Sequence, residues 1–187
     1  MASAEARERY SRKTEAADLQ RAFTILDSKR DGKIDASELG LLFKRLGHKF
    51  TKAEVDSIIW EADTDCDRCL TWKEFQEMYD RCRNDQTGYE PRRLFNVVLF
   101  LMNDKDSKGT VSVEETMQIL YLRYGRQLLD AQLEDIFGTS DLNSGKTLTL
   151  SQFMQSLHTS QVRQLNSRVT SKTYQVPPPA LKKQAAS

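Results

Sequence analysis

Between Asp63 and Glu74 the chain sets carboxylates at alternate positions, Asp63, Asp65 and Asp67, and then places Thr71 and Glu74 so that the stretch closes as a twelve-residue loop. Oxygen at loop positions 1, 3, 5, 9 and 12, with a backbone carbonyl at position 7 from Cys69, is the donor set of a hard divalent cation. Calcium takes roughly six to eight such oxygens, and a bidentate carboxylate at position 12 completes its shell. Ca2+ is therefore the expected cofactor, with Mg2+ as its competitor. Position 6 needs a backbone turn through positive φ, and here it holds Arg68 in place of glycine, a strain of about 1–2 kcal/mol.

Three echoes of this loop differ in what they can bind. Asp27, Asp31, Asp35 and Glu38, with Gly32 at the turn and the Lys33 carbonyl at position 7, form a weaker candidate site. Its flaw is Lys29 at position 3, which removes an oxygen and adds a repelling charge unless its stem swings into solvent. A third loop has Asp104, Asp106, Gly109 and Glu115 but carries Lys108 at position 5, so it is expected to bind poorly. The fourth, from Asp141 and Asn143 to Gln152, lacks the bidentate anion and is expected to hold no ion.

Cys66 and Cys69 lie inside the best loop at positions 4 and 7. A C-x-x-C pair can form a disulfide, bind a soft metal or simply fill space. Zinc needs two more ligands, and Cys82, His48 and His158 stand at no finger-like spacing. A redox role has a specific logic: a Cys66–Cys69 bridge would lock the turn that carries Asp65, Asp67 and the Cys69 carbonyl, so calcium binding would require reduction.

The elements that position these loops repeat with them. The first loop residues, Asp27, Asp63, Asp104 and Asp141, lie 36, 41 and 37 positions apart, which suggests two pairs joined by a connector. Phe23, Ile59, Phe100 and Phe137 stand four residues ahead of the loops. Ile34, Leu70, Val111 and Leu148 hold position 8, where branched and aliphatic residues suit a short strand bridge. Asp35/Glu38, Thr71/Glu74, Ser112/Glu115 and Thr149/Gln152 are capping-box pairs that start the exit helices, and Thr51/Glu54 starts another.

An all-α fold follows, with four helix-loop-helix units over 14–46, 51–82, 91–124 and 129–159 paired into two lobes. The N-terminal pair occupies 1–82, a linker that carries Gly88 and runs into Pro91 occupies 83–90, and the degenerate C-terminal pair 91–159. A bent or flexible connection at the linker is expected, rather than one continuous helix. An extended tail, 160–187, has five basic and no acidic residues and cannot bury enough apolar surface to fold alone.

Composition narrows the function class. The 187 residues carry 28 basic against 27 acidic side chains, so no net field points to nucleic acid or membrane. The longest apolar run, Val97 to Met102, is far too short for a bilayer span. No signal-peptide pattern opens the chain, and three cysteines fit a reducing compartment. Two distant histidines and the absence of a phosphate loop or nucleophile elbow argue against an enzyme. With only Met78, Met102, Met117 and Met154 in the body, a dedicated helical or coiled-coil partner is expected over a promiscuous Met-rich groove.

The four-repeat stretch up to Ser160 resembles the calmodulin superfamily of EF-hand proteins. At finer grain it is similar to the small EF-hand subunits of outer dynein arm docking complexes, on total length, on the first two loops being nearest a calcium pattern, and on Cys66 and Cys69 within one loop. That resemblance implies two coiled-coil docking-complex subunits as partners and indirect contact with the doublet microtubule (tubulin) and outer-arm dynein. It also implies a location in the cytoplasm and cytoskeleton, on the flagellar or ciliary axoneme. The alternative is a soluble calcium-sensing regulatory subunit of a kinase, phosphatase or myosin.

Overall fold

The computed structural model describes residues 4–85, 90–117, 133–134, 136–138 and 145–158, with side chains from Thr14 onward. The tail, the first four residues of the fourth loop (Asp141 and Asn143 among them) and most of residues 129–140 of the expected fourth unit lie outside the described residues.

Helix α1 spans Ala4–Leu26, beginning ten residues ahead of the expected unit because its Ala-, Glu- and Arg-rich start favours helix. It leads through the first loop to strand β1 (Lys33–Asp35) and helix α2 (Ala36–Arg45). Helix α3 (Lys52–Trp60), strand β2 (Cys69–Thr71) and helix α4 (Trp72–Asn84) repeat the plan. The three caps expected in this half close reciprocally: Asp35 with Glu38, Thr51 with Glu54, and Thr71 with Glu74. Each box satisfies two backbone donors that the first helical turn leaves orphaned. Helix α2 ends where Gly47 turns at φ 69°, its N–H on the Lys44 carbonyl and that of His48 on the Phe43 carbonyl. These two bonds are those of a Schellman termination, in which glycine bears no Cβ penalty.

Strands β1 and β2 pair antiparallel with Ile34 opposite Leu70, both fully buried, so the two loops lie back to back. Phe23 meets the edges of Trp72 and Phe75 at centroid distances of 5.3 Å, tying α1 to α4. Tyr79 donates its hydroxyl to Glu15 at 2.7 Å, and Arg83 pairs with the same carboxylate at 3.0 Å.

Helix α4 does not run on: it stops at Asn84, where Asp85 is extended, and helix α5 starts afresh over Arg93–Asn103. Every residue of α5 from Leu94 to Asn103 is buried. A helix without a polar face needs partners on all sides. One pair cannot supply them, and α5 packs on α1, α3 and α4 of the first pair. The packing is anchored at both ends. Glu61 receives Arg93 Nε–H at 2.7 Å, while Arg21 donates to the Leu101 and Met102 carbonyls at 3.0 and 2.7 Å. Opposite charges thus meet opposite ends of the helix dipole. The halves consequently share one hydrophobic core, a merger that the linker's composition did not reveal.

Past α5, strand β3 (Thr110–Ser112) pairs with strand β4 (Thr147–Thr149), setting Val111 opposite Leu148. Helical backbone follows each strand, over 113–117 and 150–158, and the Ser112/Glu115 and Thr149/Gln152 caps both form. His48, on the turn after α2, shares a hydrogen bond with the Ser151 hydroxyl from the other half. No helix among the described residues is long and apolar enough to cross a membrane.

Candidate metal site

Loop geometry between Asp63 and Glu74 starts at its ends. Glu74, in the first turn of α4, reaches back across the loop. Its Oε1 accepts from the Thr64 amide and hydroxyl at 2.9 and 2.8 Å, and its Oε2 from those of Thr71 at the same two distances. Burial pushes the Glu74 carboxyl up, but these four donors outweigh it and hold it down at about 2. The carboxylate therefore stays ionised at the loop's closing position. The Thr71 hydroxyl, expected to serve the ion directly or through water, is committed to this cap.

At the opening end Asp63 Oδ2 accepts the Arg68 amide at 3.0 Å, while Oδ1 is buried with no hydrogen-bond partner. Asp65 accepts the Asp67 amide at 3.1 Å, and Asp67 accepts that of Cys69 at 2.8 Å. One oxygen from each of Asp63, Asp65 and Asp67 lies within 4.8 Å of the others, the one such cluster among the described residues. An orphaned buried carboxylate oxygen beside two further carboxylates is unfavourable without a cation. An all-oxygen donor set selects a hard ion over zinc or copper. The residues present fit Ca2+.

The backbone of the loop is more contorted than spacing alone suggested. Arg68 has φ 66°, as position 6 requires, and Cys66 at position 4 also lies in the left-handed region at φ 62°. Arg30 and Ser107 repeat this at the fourth position of their loops, with φ of 60° and 53°. No residue type at position 4 advertised it. Cys66 is exposed, Cys69 is half-buried and Cys82 is buried, and all three are free thiols. Burial, then the charge of Asp67, raises the Cys69 thiol above its ordinary value, and burial lifts that of Cys82 to about 11.

Comparison with known proteins bears directly on this geometry: residues 16–80 match the model of an EF-hand domain pair. Residues 16–80 are an EF-hand pair. Over a longer stretch the chain is 29% identical to the probable calcium-binding protein CML27 of Arabidopsis thaliana across 153 residues, covering 80% of this chain and 82% of the relative. It is 27% identical to troponin C of Todarodes pacificus across 137 residues, 73% of this chain and 88% of that one. A further relative, the probable calcium-binding protein CML25 of Arabidopsis thaliana, is 28% identical over 143 residues, 76% of this chain and 74% of the relative. Outside that pair the chain is similar to these relatives over most of its length, and Ca2+ is the ion its EF-hand pair takes.

The first loop of the EF-hand pair is arranged differently from the second. Asp27 accepts the Asp31 and Gly32 amides at 3.1 and 2.9 Å, and Glu38 accepts those of Lys29 and Asp35 at 2.9 and 3.0 Å. Lys29 does not swing into solvent: its ammonium sits on the Asp35 carboxylate. Burial raises Asp35, but the Lys29 bond leads the contributions that bring it to about 2. A site that meets its own charge in this way has less to offer an ion. Lys33, whose carbonyl was the expected ligand, sends its side chain to Asp67 of the second loop at 2.6 Å. Register supplied the missing signal, since Lys33 faces Thr71 across the strand bridge.

Beyond the pair, Asp104 is buried and accepts the Lys108 and Gly109 amides at 2.8 and 2.7 Å. Lys108 lies 3.2 Å from Asp106 and 3.8 Å from Glu115, again a lysine amid ligand carboxylates.

Proposed function

We propose that this calmodulin-like protein is a calcium-binding, redox-sensitive subunit of the outer dynein arm docking complex. In this reading the EF-hand pair responds to calcium while the C-terminal half holds two coiled-coil subunits on the axonemal doublet. The observation that carries the calcium part is the acidic cluster with its unpartnered buried Asp63 oxygen. The docking part is supported by the likeness in length, loop order and the Cys66/Cys69 pair. Buried Met78 and Met102, with Met117 and Met154 packed against the core, leave no methionine-rich groove among the described residues and favour a dedicated partner.

The redox element belongs to the same loop. Cys66 and Cys69 would join as a disulfide by passing two electrons and two protons to an oxidant such as oxidised glutathione, tightening the turn that carries Asp65 and Asp67. Equal calcium affinity of oxidised and reduced protein, with the bridge verified by mass, would remove this element. The basic tail would lie along the acidic microtubule wall, and filament binding that survives deletion of 160–187 would remove that one.

A soluble regulatory subunit of a kinase, phosphatase or myosin is the second reading, favoured by calmodulin-like relatives that match most of the chain. Capture from a native ciliary extract, with and without calcium and reductant, separates the two. Axonemal coiled coils in the eluate support the docking role; a soluble catalytic subunit replaces it with the second.

A further inference from the structure

Every loop with described ligand side chains on both sides carries a lysine ammonium on one of them. In the first and third loops the lysine is the loop's own and stands at a ligand position, so Lys29 on Asp35 and Lys108 by Asp106 and Glu115 replace an oxygen as well as adding a charge. In the second loop the lysine comes from across the pair. Lys33 Nζ donates to Asp67 Oδ2 at 2.6 Å, and Asp67 Oδ1 remains on the Cys69 amide. The Lys33 backbone is fixed in the strand bridge opposite Thr71, next to the buried Ile34–Leu70 pair, but its side chain is half exposed.

We propose that Lys33 is a built-in competitor for calcium at the second loop, a residue that sets the affinity and salt dependence of that site. This rests on the reading of Asp63–Glu74 as the calcium loop. The Lys33 ammonium neutralises Asp67 when no ion is bound. It must leave when Asp67 turns to a divalent cation, and it then remains nearby as a like charge. Lys33 holds no ligand position of the second loop, so neutralising it leaves the oxygen set complete and removes only the competitor. That separates it from Lys29 and Lys108, whose neutralisation restores no oxygen. A half-exposed pair of this kind shifts an equilibrium by about two- to fivefold.

Calcium titration calorimetry on the full chain tests this, with wild type, Lys33→Met and Lys33→Arg at about 0.01 M and about 1 M ionic strength, where charges are felt over ~30 Å and ~3 Å. Lys33→Met should tighten Kd about two- to fivefold at low salt, with the gap closing at high salt, and Lys33→Arg should match wild type. An unchanged or weaker Kd in Lys33→Met, with far-UV circular dichroism and unfolding midpoint as in wild type, overturns the proposal. Lys33→Gln serves as the second neutral variant and must agree. Binding that is equal in all four proteins sinks the role of Lys33 alone, whereas no calcium heat in any of them sinks the loop assignment with it.

Discussion

Arg93, in the first turn of α5, donates its Nε–H to Glu61 at 2.7 Å, and Glu61 stands two residues ahead of Asp63. The helix that enters the metal loop is thus tied to a helix of the other half. The Glu61 side chain is only 5% exposed and that of Arg93 44%, so loss of Arg93 leaves a largely buried carboxylate with only the long Leu94 amide bond at 3.4 Å. Arg93→Ala should lower the stability of the ion-free protein by about 1–2 kcal/mol. Urea unfolding measures it, and an unchanged midpoint would show that this tie contributes nothing.

Glu74 supplies the only position-12 carboxylate of the loop that holds the acidic cluster. Glu74→Gln removes the bidentate anion while keeping the shape. Calcium affinity should fall by roughly two orders of magnitude, about the separation between sensor and low-affinity EF-hand classes. Calorimetry in which the main site binds as before would place that site elsewhere.

Acid should weaken the ion-free fold through the same residue. Glu74 is held at about 2 against an ordinary value of 4.5, so its stabilising effect is fully present above pH 4.5 and fades as pH falls toward 2. Glu74 is only 5% exposed, and the shift corresponds to about 3 kcal/mol. Unfolding free energies of wild type and Glu74→Gln should therefore differ at pH 5 and converge as pH approaches 2. A constant difference across that window would contradict the assignment.

Arg68 holds φ 66° where glycine would sit without strain. Relief of about 1–2 kcal/mol in Arg68→Gly is partly offset by the extra backbone freedom that glycine loses on folding, about 0.5–1 kcal/mol. A net gain of about 0.5–1 kcal/mol is expected in the same unfolding experiment, because the Arg68 amide that serves Asp63 is kept. Destabilisation by this change would mean that the side chain, not the backbone, matters there.

What was readable in advance was local. Thr71 with Glu74, Asp35 with Glu38, and Asp63, Asp65 and Asp67 all act over a handful of residues, where spacing along the chain dictates which groups can meet. The Ile34–Leu70 and Val111–Leu148 pairings were legible for a related reason: equivalent positions of a repeat tend to face one another. Arg68 announced its own strain because its neighbours fit a turn of known shape. Cys66 did not, since nothing about a residue type at position 4 demands positive φ.

Sequence alone determined the twelve-residue loops, their caps and the oxygen chemistry that makes Ca2+ the ion of the EF-hand pair. Tertiary structure decided which charges reach those loops: Lys29 folding onto Asp35, and Lys33 crossing 34 residues of sequence to Asp67. It also decided that α5 lies against α1, α3 and α4 with Glu61 and Arg21 at its ends. The reason is physical. Caps and loop ligands are fixed by covalent proximity, whereas the reach of a lysine and the burial of an all-apolar helix depend on which distant surfaces the folded chain brings within a few ångströms.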